Sequence, residues 1–219
     1  MSLTLYFHPL ASYCWKVLLA LYEAETPFRP QQIDLADPEE RATLARLWPV
    51  AKFPVLRDAA REEVVPESSI IIEYLALHYP GKAELLPKDP ERARETRLRD
   101  RFYDLYVHEP MQRIVGDRLR PQDRRDPHGV EQAHATLALS YSMIEEDKAT
   151  SEWAKGSAFT LADCAAAPAL YYADLVQPFR DTHRNAAAYL DRLMRRPSFA
   201  RAIEEAQPYR ALFPKEETR

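Results

Sequence analysis

Two short stretches hold residues whose types and order could build a binding site. In Lys52-Phe53-Pro54-Val55-Leu56 a proline stands at the entrance of a short apolar run. Proline has no N–H to give to a sheet and is tolerated at a strand's start or edge, and an X–Pro bond is where a cis peptide is cheap. A cis bond would turn the backbone of Phe53 outward, leaving its N–H and C=O free to pair with an extended ligand as a missing strand would. In Glu67-Ser68-Ser69-Ile70 a polar pair opens an apolar run with helical spacing. The start of such a helix carries unpaired N–H groups and the positive end of the dipole, which suits a carboxylate. Each feature alone has a plainer explanation: Ser68 or Ser69 as a helix cap, Pro54 as a stiffener of a turn. A third cluster, Ser12-Tyr13-Cys14, puts a hydroxyl, a phenol and a thiol side by side where a turn meets the first helical run.

The elements that must position these residues can be read in order. Leu3 to Phe7 is β-prone, Tyr13 to Ala24 has helical spacing through Val17, Leu18 and Leu21, and Phe28 to Leu35 reads as a second strand. Pro38-Glu39-Glu40 opens a helix that Trp48-Pro49 ends. The Pro54 strand follows, then the polar turn Asp58 to Glu63, the strand Val64-Val65 and the helix after Ser68. The order is β-α-β-α-β-β-α over about 80 residues. Tyr79 to Pro87 closes this unit and links it to a helical remainder. Glu91 to about Arg118 reads as one long helix with Pro110 inside it, so a kink near His108 is expected. Val130 to Ile144 is amphipathic. Thr160-Leu161-Ala162-Asp163 is a capping pair ahead of a run of small apolar residues, the mark of a buried helix, which Pro168 should bend. Tyr189 to Met194 and Pro197 to Ala206 supply two more helices, and Pro208 to Arg219 reads as a tail. The domains expected are therefore 1–82 (α/β) and 88–219 (all-α).

Composition excludes several classes. The net charge is −4, and residues 1–82 carry 8 Lys+Arg against 11 Asp+Glu, so neither part is a basic, nucleic-acid-binding domain. No apolar run approaches the roughly 18 residues of a membrane span. The N-terminus has no signal-peptide pattern, so a cytoplasmic location is expected. Two cysteines, Cys14 and Cys164, make no disulfide framework. Four scattered glycines fit no phosphate loop, and six histidines without paired spacing give a metal site no support.

Taken together, the order of Phe53-Pro54, strand, turn, strand, Glu67-Ser68 and apolar helix, with Thr160-x-x-Asp163 in the helical half, resembles the glutathione transferases over nearly the entire chain. The resemblance implies a thioredoxin-like N-terminal domain, an all-α C-terminal domain and glutathione as co-substrate. It implies that Phe53, before a cis Pro54, pairs with the cysteinyl backbone of glutathione, that Glu67 and Ser68 hold its γ-glutamyl end, and that Lys52 holds its glycyl carboxylate. A hydroxyl at the start of the first helix then favours the thiolate. Counting back from Val17, the usual serine position holds Ala11. Ser12, one place later, is the candidate catalytic residue, with N-capping as its alternative role. Tyr6 and Tyr13 are lesser candidates, and Cys14 reads as a packed apolar residue. Tyr103, Tyr106 and His108 are the candidates for a second-substrate pocket taking an electrophilic small molecule. The family also implies a homodimer. Trp15-Lys16-Val17 resembles the Trp-Arg-Val of maleylacetoacetate-type isomerases, a close variant, and Ala11 leaves room for a binding-only homologue.

Overall fold

The computed structural model describes residues 2–214. The first part is a four-stranded sheet of β1 (Leu3–Phe7), β2 (Arg29–Gln32), β3 (Val55–Asp58) and β4 (Glu63–Pro66) in the order β2-β1-β3-β4. β2 runs parallel to β1 and the other pairs are antiparallel, with Leu5 opposite Leu56 and Leu56 opposite Val65. β2 is shorter than its sequence run and contains Pro30, which an edge strand tolerates. Helices α1 (Ser12–Glu23), α2 (Pro38–Leu47) and α3 (Ser68–His78) complete this layer.

The helical part holds α4 (Pro90–Phe102), a π-helical turn (Tyr103–His108), α5 (Glu109–Arg118), α6 (Pro127–Lys148), α7 (Leu161–Val176), α8 (Arg184–Met194) and α9 (Pro197–Ala206). The expected tail instead begins as a 3-10 turn, Gln207–Leu212, whose Tyr209 hydroxyl donates to Gln32 Oε1 on β2. Positions 215–219 of that stretch lie outside the described residues.

The two layers share one core. α1 is buried from Cys14 to Leu21, one side on the sheet and the other on α7. The alanines Ala165, Ala166, Ala167 and Ala169 let the backbones approach, and Trp15 fills the remaining space against Tyr171, Tyr172 and Phe199. α7 passes through Pro168 as one unbroken helix. A smaller cluster of Ile33, Leu44 and Val55 packs α2 on the far face of the sheet.

The capping pair forms as its spacing predicts. Thr160 caps α7 and Asp163 returns to the Thr160 N–H at 2.9 Å. Asp163 is fully buried and does more than cap, accepting from Ala154 N and from the Tyr189 hydroxyl, both at 2.7 Å. It thereby ties the loop before α7 and helix α8 to one carboxylate. Asp163→Ala strands four buried donors, the Thr160 hydroxyl among them, so urea unfolding should show a loss on the order of 3–4 kcal/mol. A loss below about 1 kcal/mol would mean that these donors find water instead.

Candidate active site

The turn from β1 into α1 presents Ser12 in a way the sequence only half foretells. Ala11, in extended backbone, is the N-cap and contributes no side-chain cap, so Ser12 is the first helical residue and does not serve as the cap. Its hydroxyl is free for other work and is buried at 4% exposure. Ser12 Oγ meets His108 Nε2 across the domain boundary, and the Gln112 side-chain nitrogen lies 3.2 Å from the same oxygen. The Tyr13 ring stacks on the His108 ring at 3.8 Å and 16°.

Pro110 explains how His108 reaches this place. A proline inside a helix has no N–H for the carbonyl four residues back, here that of Tyr106. The helix widens into the π turn Tyr103–His108 just before it, and Ser140 Oγ donates to the freed Tyr106 carbonyl at 2.8 Å. Such one-residue widenings concentrate at functional sites.

His108 is fully buried, and desolvation, helped by the nearby Lys16 charge, lowers its pKa to about 3. The imidazole is neutral at any working pH. Its Nδ1 has no hydrogen-bond partner among the described residues. A buried N–H without a partner is rarer and costlier than an unused acceptor, which favours the ring proton on Nε2, donating to Ser12, whereas the Gln112 side-chain nitrogen 3.3 Å from the same ring nitrogen favours the tautomer in which Nε2 accepts. In the first tautomer His108 and Gln112 both donate to Ser12 Oγ, and the serine's own proton is left for a third group.

One turn along α1, Lys16 is fully buried, with Nζ 2.5 Å from Asp100, 2.7 Å from Asp104 and 2.8 Å from Ser69 Oγ. Arg101 closes the cluster from its half-exposed side, 2.9 Å from Asp100 and 2.5 Å from Asp104. Burial pushes the Asp104 carboxyl up, against the pull of Lys16 and Arg101. Ser69 is thus tied to α1 and α4, and neither it nor Ser68 caps α3.

Between this cluster and the sheet edge lies a cavity of about 570 Å³ bordered by Tyr13, Lys52, Phe53, Pro54, Glu67 and Ser68. The Phe53–Pro54 bond is cis. Among the described residues no other backbone group takes the N–H or C=O of Phe53. Glu67, the N-cap of α3, holds φ 70 and ψ 119 and makes no side-chain cap. A non-glycine residue in such backbone costs on the order of 1–3 kcal/mol and persists where its surroundings demand it. Here it turns the uncapped start of α3 toward the cavity.

With this geometry in hand, comparison with known proteins decides the family. The model described as "Glutathione S-transferase, N-terminal domain" matches residues 5–83 and the corresponding C-terminal domain matches 102–197. The chain belongs to the glutathione S-transferase family. Among curated relatives, "Glutathione S-transferase GstB" of Escherichia coli K12 is 25% identical over 192 residues, covering 86% of this chain and 91% of its own. Among solved structures, the glutathione S-transferase of Methylobacillus flagellatus with GSH bound superposes with a TM-score of 0.85 at 25% identity, covering 92% of this chain and 98% of its own. That of Methylobacterium radiotolerans, in complex with glutathione sulfonate, gives 0.81 at 27% identity, with 99% and 97% covered.

The structure brings Lys52, Phe53, Pro54, Glu67 and Ser68 to one cavity with Tyr13, while Ser12, the residue before Tyr13, is buried and does not line it. It does not form a second-substrate pocket from Tyr103, Tyr106 and His108. Tyr103 is 2% exposed inside the helical core, because the π turn rotates it inward. Tyr106 faces an outer groove beside Thr136 and Ser140, and His108 is taken up with Ser12. Tyr6 packs over the small core under α2, and Cys14 is fully buried with its thiol pushed up by desolvation. Gln112, Asp100 and Asp104 went unnoticed in the sequence, and Lys16 was read only as part of Trp15-Lys16-Val17. The four-residue spacing of Ser12 with Lys16, and of Asp104 with His108, was the signal that could have found them.

Burial of His108 has a measurable cost. Below about pH 6.5 the unfolded chain protonates this histidine while the native state does not until about pH 3, so native stability falls as pH drops through that window. The slope is at most about 1.4 kcal/mol per pH unit, and nothing changes above the window. His108→Gln should remove this component, so the stability gap between native and variant narrows from pH 7 to pH 4 in urea titrations. Parallel pH curves would show that the native state protonates His108 as readily as the unfolded chain does.

Proposed function

We propose that this chain is a glutathione transferase that ionises the glutathione thiol at Ser12 and adds it to an electrophilic small molecule. The observation that carries this reading is the buried Ser12 hydroxyl held between His108 Nε2 and the Gln112 side-chain nitrogen; with the ring proton on Nε2 it accepts from both and can donate to a sulfur anion. The extended tripeptide pairs its cysteinyl backbone with the open N–H and C=O of Phe53. Its γ-glutamyl carboxylate meets the uncapped start of α3 at Ser68, with Glu67 beside the ammonium group, and exposed Lys52 takes the glycyl carboxylate. The sulfur then lies at the start of α1, where the N–H groups of the first turn have no side-chain cap and the helix dipole favours negative charge. The thiol proton leaves to solvent, the thiolate attacks an electrophilic carbon, and a C–S bond forms. Ala11 motivates a binding-only homologue, but Ser12 supplies the hydroxyl that Ala11 lacks.

Calorimetric titration with glutathione in two buffers of different ionisation enthalpy tests this directly. Binding with close to one proton released near neutral pH is expected. Ser12→Ala should release fewer protons, because one hydrogen bond to an anion is worth about 1.5–3 kcal/mol, or roughly one to two pKa units. Equal proton release from native and variant would remove Ser12 from the mechanism, and absence of binding would remove glutathione.

The same reading includes a homodimer in the cytoplasm. Leu98, Leu105, Tyr106, Leu139 and Met143 are exposed around a groove of about 680 Å³ between α4 and α6. A second copy with the same apolar face would cover it. Both cysteines are buried free thiols, in keeping with a reducing compartment. Sedimentation should show a dimer for the native chain and a monomer for a variant carrying Leu139→Glu and Met143→Glu. A native monomer at micromolar concentration would refute the pairing.

A further inference from the structure

The turn that leads from β1 into α1 is pinned at each of its carbonyls. That of His8 accepts from Ala11 N at 3.0 Å, and that of Ala11 from Cys14 N at 2.9 Å and Trp15 N at 3.1 Å. The Pro9 carbonyl accepts from the Trp15 indole N–H, and the Leu10 carbonyl from the Tyr172 hydroxyl at 2.8 Å. Pro9 has no N–H to give, so the donors within the turn are those of Leu10 and Ala11. Ala11 gives its N–H to backbone. Leu10 gives its own to a side chain, His8 Nδ1, at 3.2 Å. Among these contacts it is the one that a proton can switch.

The His8 ring also ties this turn to the glutathione-side cavity. It stacks on Phe53 with centroids 6.0 Å apart at 19°, and it meets Tyr209 edge-on at 5.6 Å and 69°. Nδ1 accepts from Leu10 only while it is unprotonated, with the ring proton on Nε2. A second proton sets a donor against a donor, and the Leu10 N–H loses its partner. Among the described residues the charged group facing the ring is Asp34, just beyond β2, which favours that proton. Burial opposes it and prevails, so the His8 pKa is lowered. Phe53 and Tyr209 present rings, and the Cys14 thiol of α1, against the His8 backbone, is kept protonated by burial.

We propose that His8 is a positioning residue for the transferase site: its neutral imidazole holds the Leu10 N–H, and with it the turn that sets Ser12 and the start of α1, so a proton on His8 releases the turn and lowers activity. This rests on the transferase reading above and adds the residue that fixes its turn. His8 acts through backbone and has no part in the chemical step. The step is sensitive to it because a misplacement of about 1 Å in a reacting group can cost about a hundredfold in rate. Asparagine can take over the contact without titrating, since its side-chain oxygen accepts from the backbone N–H two residues on.

The test is the pH dependence of kcat/KM for glutathione between about pH 4.5 and 7.5, which reports the free enzyme and the free substrate. Circular dichroism confirms at each pH that the chain is folded. The free thiol, with a pKa of about 8.5, gives log kcat/KM a slope of one against pH throughout this range. In the native chain the slope should steepen toward two at the acid end, where His8 takes its proton. His108, with its pKa near about 3, stays out of the window. His8→Asn should keep kcat/KM within a few-fold of native at neutral pH and hold the slope at one. His8→Phe keeps a ring against Phe53 and Tyr209 but has no acceptor, and should lose about tenfold or more at every pH. A native slope of one overturns the proposal, as does a His8→Phe chain as active as native or a His8→Asn chain as impaired as His8→Phe. A steeper slope that persists in His8→Asn belongs to another group, such as Asp104, and overturns it too. Failure of the native chain to bind glutathione in calorimetry is the separate outcome that brings down the transferase reading itself.

Discussion

The buried ammonium of Lys16 is the contact on which the rest of the site depends. It sits between Asp100 and Asp104 with no exposure to solvent, and it reaches Ser69 as well. Removing one partner of such a cluster leaves an uncompensated buried charge and costs about 3–5 kcal/mol, whereas an apolar replacement of the whole cluster can be neutral. The cluster is therefore a poor source of raw stability and a good source of register. Lys16 stands four residues after Ser12, and Asp104 stands four before His108. Matching Lys16 to Asp104 brings Ser12 against His108, and through Ser69 it also fixes the start of α3. One cation thus aligns the helix that carries the hydroxyl, the turn that carries the imidazole and the helix whose open end faces the cavity.

The π turn is what makes that alignment possible from the helical side. A straight helix from Pro90 to Arg118 would hold Pro110 at the cost of an unsatisfied Tyr106 carbonyl and a clash with the ring. The widened turn relieves both, and Ser140 on α6 supplies the missing donor. The local conflict is resolved by tertiary contacts, and the same contacts aim His108. Pro110 is thus as much a part of the site as the residues that face it.

What could be read from the sequence follows from how local each signal is. The Phe53-Pro54 strand, the Glu67-Ser68 helix start and the Thr160-x-x-Asp163 box each depend on neighbours within a few residues, and all three stand where their spacing put them. Pro110 marked a break near His108 but could not say that the break would be a widened turn. The union of Ser12 with His108 joins positions 96 residues apart, and no local pattern encodes it. The same limit misplaced Tyr103 and Tyr106. An aromatic stripe at helical spacing shows that a face is apolar, but which neighbour covers each ring is settled by the turn's rotation and by α6 and α7. The 3-10 turn over the sheet went unread because Tyr209 meets Gln32 only after the whole chain has folded.

Under the proposed reading, the manner of activation follows from burial. A cation or an imidazolium beside the sulfur would lower the thiol pKa furthest, yet the nucleophilicity of a thiolate falls as its pKa falls. Here the residues around Ser12 are neutral. Desolvation and Lys16 keep the proton charge off His108, Gln112 is an amide, and the start of α1 offers partial charge alone. Lys16 is near enough to repel a proton from His108 but is itself committed to two carboxylates. The site is thus arranged to favour the anion by hydrogen bonds and a dipole while leaving its electron pair unpaired with any full charge.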